Sequence, residues 1–216
     1  MNLWLSTLFL AAGLFLSSST PTPEECQPLI TPLSLADPSI MFGRSNFLYG
    51  YTDSEFYSGY LKNIKSYWID INRSPSNPET IVMTMDNKQN GSCISLKTNL
   101  NFEGNTIKTS FSNFTATFHM YPTCEDCLLY SFNRTVKNLD KMYKKMEFNI
   151  ESTAEEFSYR AFYLMGRGST VKDSDLEHFR KQASCLGFDR EPDFIYDPKN
   201  EFCAEGEGRK IPEYFE

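Results

Sequence analysis

Histidine is scarce in this sequence: His119 and His178 are its only two copies in 216 residues. They do not form a pair at metal-ligand spacing, and the chain has neither a Gly-x-Ser-x-Gly motif nor a glycine-rich phosphate loop. His178 falls on the polar side of a helical pattern, and His119 stands alone in a strand pattern. We therefore expect no catalytic site, no metal and no cofactor, and we predict that the protein is not an enzyme.

Long apolar runs are also missing. The run from Leu3 to Leu16 is shorter than the roughly 20 residues of a membrane-spanning helix. No Lys or Arg precedes it, and the small residues of a cleavage site, Ser17 to Ser19, follow it. A short apolar segment with this ending is typical of a secretory signal peptide. We predict a signal peptide at residues 1–19 and a secreted, extracellular protein without a membrane span.

Basic residues are outnumbered by acidic ones. The chain has 21 Lys and Arg against 28 Asp and Glu, which gives a net charge of −7. An acidic surface repels phosphate backbones and anionic lipids, which argues against nucleic acid and anionic membranes as partners. Aromatic residues, in contrast, are plentiful at 15% of the chain and can supply either a core or a pocket.

Cysteines and glycosylation sequons agree with export. An even count of six cysteines behind a signal peptide predicts three disulfides, although these residues leave the connectivity open. Four Asn-x-Ser/Thr sequons predict a glycoprotein. The sequon residues are Asn72, Asn90, Asn113 and Asn133.

The pattern over most of the chain predicts short strands separated by turn residues. Strand patterns cover residues 43–51, 65–71, 80–86, 93–102, 106–111, 115–121, 128–132 and 157–165. This even spacing is typical of an all-β sandwich or barrel. We predict irregular structure for residues 21–38 and a loop with a short helical turn for residues 53–61. The alternation within residues 146–150 predicts a strand extension. Tyr130 and Phe132 share one strand face, as do Met83 and Met85.

One helix follows the strands. Leu176, Phe179, Ala183 and Leu186 recur at helical spacing. Ser174 and Glu177 predict a capping box at its start, and Gly187 predicts its end. Beyond an extended segment to residue 203, we expect residues 204–216 to be a disordered tail.

The order of these pieces resembles a lipocalin. A strand opening with Gly43-Arg-Ser45, a last strand ending with Leu164-Met-Gly-Arg167 and a helix ending with Cys185-Leu-Gly187 carry the resemblance. The run from residues 53–57 through Cys93, together with residues 194–203, resembles the branch of alpha-1-acid glycoprotein and apolipoprotein M. Within this branch the chain is similar to fish proteins described as tributyltin-binding or saxitoxin/tetrodotoxin-binding. The resemblance implies an all-β fold at residues 20–203: an eight-stranded antiparallel up-and-down barrel with one C-terminal α-helix packed outside.

The resemblance also implies the disulfide pairing, and the chain departs from the family pattern at one position. It pairs Cys26 with Cys185 and Cys93 with Cys203, and it leaves Cys124 with Cys127 as a structural turn disulfide rather than a redox pair. Ser45 occupies the position of a family tryptophan that closes the barrel floor beside the arginine corresponding to Arg167. Losing that ring predicts a void or a substitute side chain.

Alternation and the resemblance together predict a ligand-binding interior. The inward set is Phe47, Tyr49, Ile69, Ile71, Met83, Met85, Tyr130, Phe132, Tyr163 and Met165, with Tyr57 over the mouth. Apolar walls with a few phenol hydroxyls suit a small lipophilic or amphipathic molecule, such as a lipid, a steroid-like compound, a xenobiotic or a toxin. Asp70 points outward in this register, which disfavours a guanidinium guest.

We therefore predict an extracellular carrier whose partner is a small lipophilic ligand. The resemblance adds association with plasma or lipoprotein particles as an expectation. The rival hypothesis is an extracellular protein-binding β domain without a ligand cavity.

Overall fold

The computed structural model describes residues 21–111, 114–137 and 156–210. The predicted signal peptide, the Asn113 sequon, the strand extension at residues 146–150 and the last six residues lie outside these ranges. Within them, no helix is both long enough and apolar enough to cross a membrane.

Eight strands form a closed antiparallel barrel in which neighbours along the chain are neighbours in space. The strands are β1 Gly43–Thr52, β2 Ile64–Arg73, β3 Ile81–Gln89, β4 Ser92–Glu103, β5 Thr106–Phe111, β6 Phe114–Met120, β7 Cys127–Lys137 and β8 Glu156–Gly166. Pairing of β8 with β1 closes the barrel and removes both sheet edges. The helices are α1 Pro23–Ile30, α2 Glu55–Leu61 and α3 Asp173–Cys185, and a 3₁₀ turn covers Pro38–Met41. The predicted up-and-down barrel is confirmed.

Helix α3 packs outside the barrel, as predicted. Its buried Phe179 stacks on the outward-facing Phe162 of β8 with ring centroids 5.1 Å apart, and Gly187 ends the helical segment with a φ of +85°. The predicted capping box is wrong. Lys172 is the N-cap residue and makes no side-chain cap hydrogen bond, because the helix begins at Asp173 and Ser174 already lies inside it.

The segment predicted as irregular at residues 21–38 contains helix α1. The Thr22 hydroxyl accepts from the Glu25 N–H at 3.3 Å, and the Glu25 carboxylate accepts from the Thr22 N–H at 2.8 Å. This capping box stabilises the first turn of a short helix. Gln182 of α3 then joins α1 to the barrel end by donating to the carbonyls of Leu29 and Pro122, both at 2.8 Å.

All three disulfides pair as the resemblance implied. Cys26 joins Cys185, Cys93 joins Cys203, and Cys124 joins Cys127. The first ties α1 to the end of α3, and the second ties the C-terminal segment to β4.

The described part of the C-terminal segment runs along the barrel and pairs with two of its strands. Two short strands, β9 Phe194–Ile195 and β10 Arg209–Lys210, pair with β1 and β4 respectively. Buried Trp68 donates its indole N–H to the Cys203 carbonyl at 2.9 Å on the outer face of the barrel. The predicted disordered tail is therefore wrong for residues 204–210, because backbone pairing with β4 holds them in place.

Candidate functional site: a cavity inside the barrel

A β-bulge in β1 decides which aromatic side chains reach the barrel interior. Phe47 pairs with Met165 and Tyr49 with Leu164, so Leu48 is the extra residue. A bulge shifts the alternation of side chains by one position. Phe47 lies before the bulge and points inward, whereas Tyr49 lies after it, with its ring 6.2 Å from the Phe179 ring of the outer helix. The prediction that Tyr49 faces inward is wrong.

The barrel floor is closed by hydrogen bonds where the family pattern has a tryptophan. Ser45 is fully buried, and its hydroxyl accepts from Arg167 Nη1 at 2.8 Å. The same nitrogen donates to the Arg44 carbonyl at 2.9 Å. Met41 of the 3₁₀ turn is also fully buried at this end. Small side chains and a hydrogen-bonded arginine thus replace a ring at the floor.

A small apolar void remains above this floor, as the missing ring predicts. Its volume is about 20 Å³, which is room for about one water molecule. It is lined by Met41, Ile69, Ile71, Met83, Leu100, Ile107, Phe118, Met120, Leu128 and Tyr130. Met83, Phe118 and Tyr130 also border the larger cavity above, so they separate the two spaces.

The larger cavity occupies the upper barrel and has a volume of about 80 Å³. Helix α2 lies over it and contributes Tyr57, Tyr60 and Leu61 to its wall. The barrel wall supplies Phe47, Ile64, Tyr67, Met83, Met85, Asn87, Leu96, Phe114, Phe118, Tyr130, Phe132, Arg134, Val136, Tyr159 and Tyr163. The lining is mainly aromatic and aliphatic with a few polar groups, the usual composition of a small-molecule site.

Most of the predicted inward set borders one of these spaces. Phe47, Tyr57, Met83, Met85, Tyr130, Phe132 and Tyr163 line the upper cavity, and Ile69 and Ile71 line the lower void. Met165 is fully buried and packs in the core, but it lines neither space. Asp70 lies outside the barrel as predicted, where it accepts from the Asn72 side chain at 2.7 Å.

Buried tyrosine hydroxyls supply polar groups to the cavity wall. The Tyr163 hydroxyl donates to the Tyr57 hydroxyl at 2.9 Å, which joins β8 to the covering helix. The Tyr57 and Tyr159 ring centroids lie 4.2 Å apart. Burial raises the pKa of all three hydroxyls above the ordinary tyrosine value. They therefore stay protonated at neutral pH and serve as neutral donors or acceptors.

Arg134 is the functional candidate that sequence reasoning missed. Its guanidinium carbon lies 5.0 Å from the Phe114 ring centroid and 5.3 Å from that of Phe132. Its Nη1 donates to the Tyr159 hydroxyl at 3.4 Å, and its buried Nε has no hydrogen-bond partner in the part of the chain that the structure describes. Alternation from Tyr130 and Phe132 would have placed it inward, but the predicted strand ended at Phe132, whereas β7 continues to Lys137.

The remaining sequons lie at exposed positions. Asn72, Asn90 and Asn133 are exposed in strands or at the turn between β3 and β4. Glycan attachment at these side chains would leave the core and the cavity lining undisturbed.

Comparison with known proteins gives one weak curated match. No protein-family model matches the chain. Saxitoxin and tetrodotoxin-binding protein 1 of Takifugu pardalis is 24% identical over 200 residues, which cover 84% of this chain. The match spans 45% of that protein, so this chain corresponds to about half of its length.

Solved structures share the architecture at low sequence identity. The structure of the siderocalin Ex-FABP superposes with a TM-score of 0.54 at 12% identity, over 74% of this chain and 95% of that chain. The bovine lipocalin allergen Bos d 2 is 18% identical and superposes with a TM-score of 0.47, over 70% of this chain and 88% of that chain, too low a score to support a conclusion. The closed up-and-down barrel, its outer helix and the siderocalin match together show that this chain has the lipocalin fold.

Proposed function

We propose that the protein is a secreted carrier that binds one small lipophilic or amphipathic molecule in the upper cavity. The observation that carries this proposal is the mainly apolar space enclosed by the barrel wall and covered by helix α2. Burial of a ligand there removes apolar surface from water, which stabilises the complex by about 25 cal/mol per Å². Met83 and Met85 on the wall adapt their shape readily, so several guests of similar size are accommodated.

An extracellular, glycosylated form is part of the same proposal. Three disulfides are typical of an oxidising compartment. The apolar segment at residues 1–19 supplies the signal for export, and Asn72, Asn90, Asn113 and Asn133 supply glycan sites. The toxin-binding name of the Takifugu protein supports small-molecule transport as the class of function. Association with plasma or lipoprotein particles would follow from such a role.

The rival function, a protein-binding β domain without a cavity, is disfavoured by the enclosed space. A domain of that kind would fill its interior, as a sandwich core does, and would present its recognition surface outside. Here the empty volume lies inside the barrel.

Native mass spectrometry of the secreted, deglycosylated protein tests the proposal. We expect a discrete extra mass that disappears on denaturation, or uptake of one molecule per chain from a panel of lipophilic compounds. Tryptophan fluorescence is unsuitable because Trp68 contacts the C-terminal segment outside the barrel. A chain that carries nothing and takes up nothing would contradict the carrier function and favour the protein-binding alternative.

A further inference from the structure

Arg134 places a positive charge in the cavity, and no described residue supplies a negative partner for it. Among the described residues that line the cavity, none has a carboxylate, and the ion pairs found in the described ranges do not include Arg134. Its nearest polar contact is the neutral hydroxyl of Tyr159. The accessible part of this half-buried side chain faces the cavity, since Phe132 and Val136 on the same face of β7 also line it.

A charge in such a place lowers the stability of the empty protein. Desolvation of an unpaired cation is unfavourable, and the rings of Phe114 and Phe132 offset it in part through cation–π attraction. The buried Nε lacks an acceptor within the described ranges, which adds an unsatisfied donor to a charge that has no partner there. An anionic oxygen bound in the cavity would supply the missing negative charge to the accessible part of the guanidinium.

We propose that Arg134 is the head-group site of the cavity and selects a single-chain amphiphile ending in a carboxylate. This inference rests on the proposed carrier function and names the chemical class of its ligand. The guanidinium donates to the carboxylate, and the hydroxyl of Tyr159 lies beside it as a further donor. The alkyl chain lies along the apolar walls formed by Met83, Met85 and Phe118.

The charge of the site also determines what it rejects. A monoanion neutralises the single guanidinium, whereas a dianionic head group would leave one buried negative charge unbalanced. A cationic guest would place a second positive charge beside Arg134 with no lining carboxylate in the described part of the chain. A neutral alcohol would fill the same apolar space but leave the charge unpaired.

Calorimetric titration of the secreted full chain with decanoate, decanol and decylamine at pH 7.4 tests this selection. We expect decanoate to bind about tenfold or more tightly than decanol, and decylamine to bind most weakly, because hydrogen bonds to charged groups carry that much free energy. Arg134→Met should lower decanoate affinity by about tenfold or more and leave decanol affinity within about twofold. Arg134→Lys should retain part of the preference because it keeps the charge.

Lys137→Met is the matched control, because Lys137 lies on the same strand with an exposed side chain. It removes one positive charge outside the cavity and should leave all three affinities unchanged. Equal binding of decanoate and decanol to the wild type, or an acid preference that survives in Arg134→Met, would overturn the head-group site and leave the carrier function intact. Binding of none of the three compounds would contradict the carrier function itself. If Arg134→Met is poorly secreted, the comparison of decanoate with decanol on the wild type still tests whether the cavity prefers a carboxylate.

Discussion

Gly50 occupies a position in β1 where the Phe47 ring leaves no room for a side chain. A Cβ at Gly50 would lie 2.4 Å from Phe47 Cζ and 3.1 Å from Tyr163 Cδ1. The Phe47 ring is itself held between Tyr163 and Phe194, with both centroids 4.2 Å away. The absence of a side chain at Gly50 therefore leaves room for the Phe47 ring on the cavity wall.

Gly50→Ala should lower the free energy of unfolding by about 1–3 kcal/mol, the usual range for overpacking a core. Denaturant unfolding measures this change. Gly59→Ala is the control, because a Cβ there meets nothing within 4 Å and Gly59 lies inside α2. In a helix interior the control should raise stability by about 0.5–1 kcal/mol. Equal effects of the two substitutions would contradict the role of Gly50.

At the scale of elements, Asp193 fastens the C-terminal segment to the mouth of the barrel. Its carboxylate accepts from the Thr52 N–H at 2.8 Å, the Ser58 hydroxyl at 2.7 Å and the Arg190 guanidinium at 2.6 Å. Burial raises the pKa of Asp193, but the hydrogen bonds from Arg190, Ser58 and Thr52 outweigh it, so the pKa lies below its ordinary value. Helix α2 is held over the cavity by this contact.

Asp193→Asn should destabilise the protein by about 1–3 kcal/mol at pH 7, since charged hydrogen bonds are lost. A depressed folded-state pKa gives stability that is present above the unfolded value of about 3.9 and is lost as pH falls through the folded pKa. The difference between variant and wild type should therefore shrink below about pH 4. Urea unfolding of the variant and the wild type at pH 7 and pH 3 measures the loss of stability and its dependence on pH. Exposed Asp126→Asn is the control, and a difference that stays constant with pH would contradict this account.

The disulfides differ in the length of chain that they close. Cys93 and Cys203 are 110 residues apart, whereas Cys124 and Cys127 are 3 apart. Because chain entropy in the unfolded state rises with loop length, replacing the first pair with alanines should cost about 4–5 kcal/mol and the second about 2 kcal/mol. Guanidinium unfolding of the two double variants tests this order, and a larger loss from the Cys124–Cys127 pair would reverse it.

For the whole molecule, sequence reasoning predicts what depends on periodicity and order. The alternating strands, the stripe from Leu176 to Leu186 and the cysteine pattern predict the barrel, its outer helix and, through the family resemblance, the disulfides. Periodicity fails where local geometry breaks it. The extra residue Leu48 turns Tyr49 outward, and no alternation rule shows where a bulge will form.

Two other differences arise from element ends, which local patterns define least well. The strand β7 extends past Phe132, so the sequence interpretation left Arg134 out of the cavity. The tail at residues 204–210 is polar, yet pairing of Arg209 with β4 orders it, a long-range contact that composition does not reveal. A third difference lies at the floor, where the missing tryptophan predicted a void but not the hydrogen bond from Arg167 to Ser45.

The most direct measurement of the central claim is NMR of the protein labelled at its methionine methyl groups with carbon-13. Met83 and Met85 line the upper cavity, whereas Met165 lies in the core away from it. We expect oleyl alcohol or oleate to shift the Met83 and Met85 signals strongly, with saturation at one molecule per chain. Binding that leaves both signals in place would put the ligand outside the barrel, and the absence of any binding would contradict the carrier function.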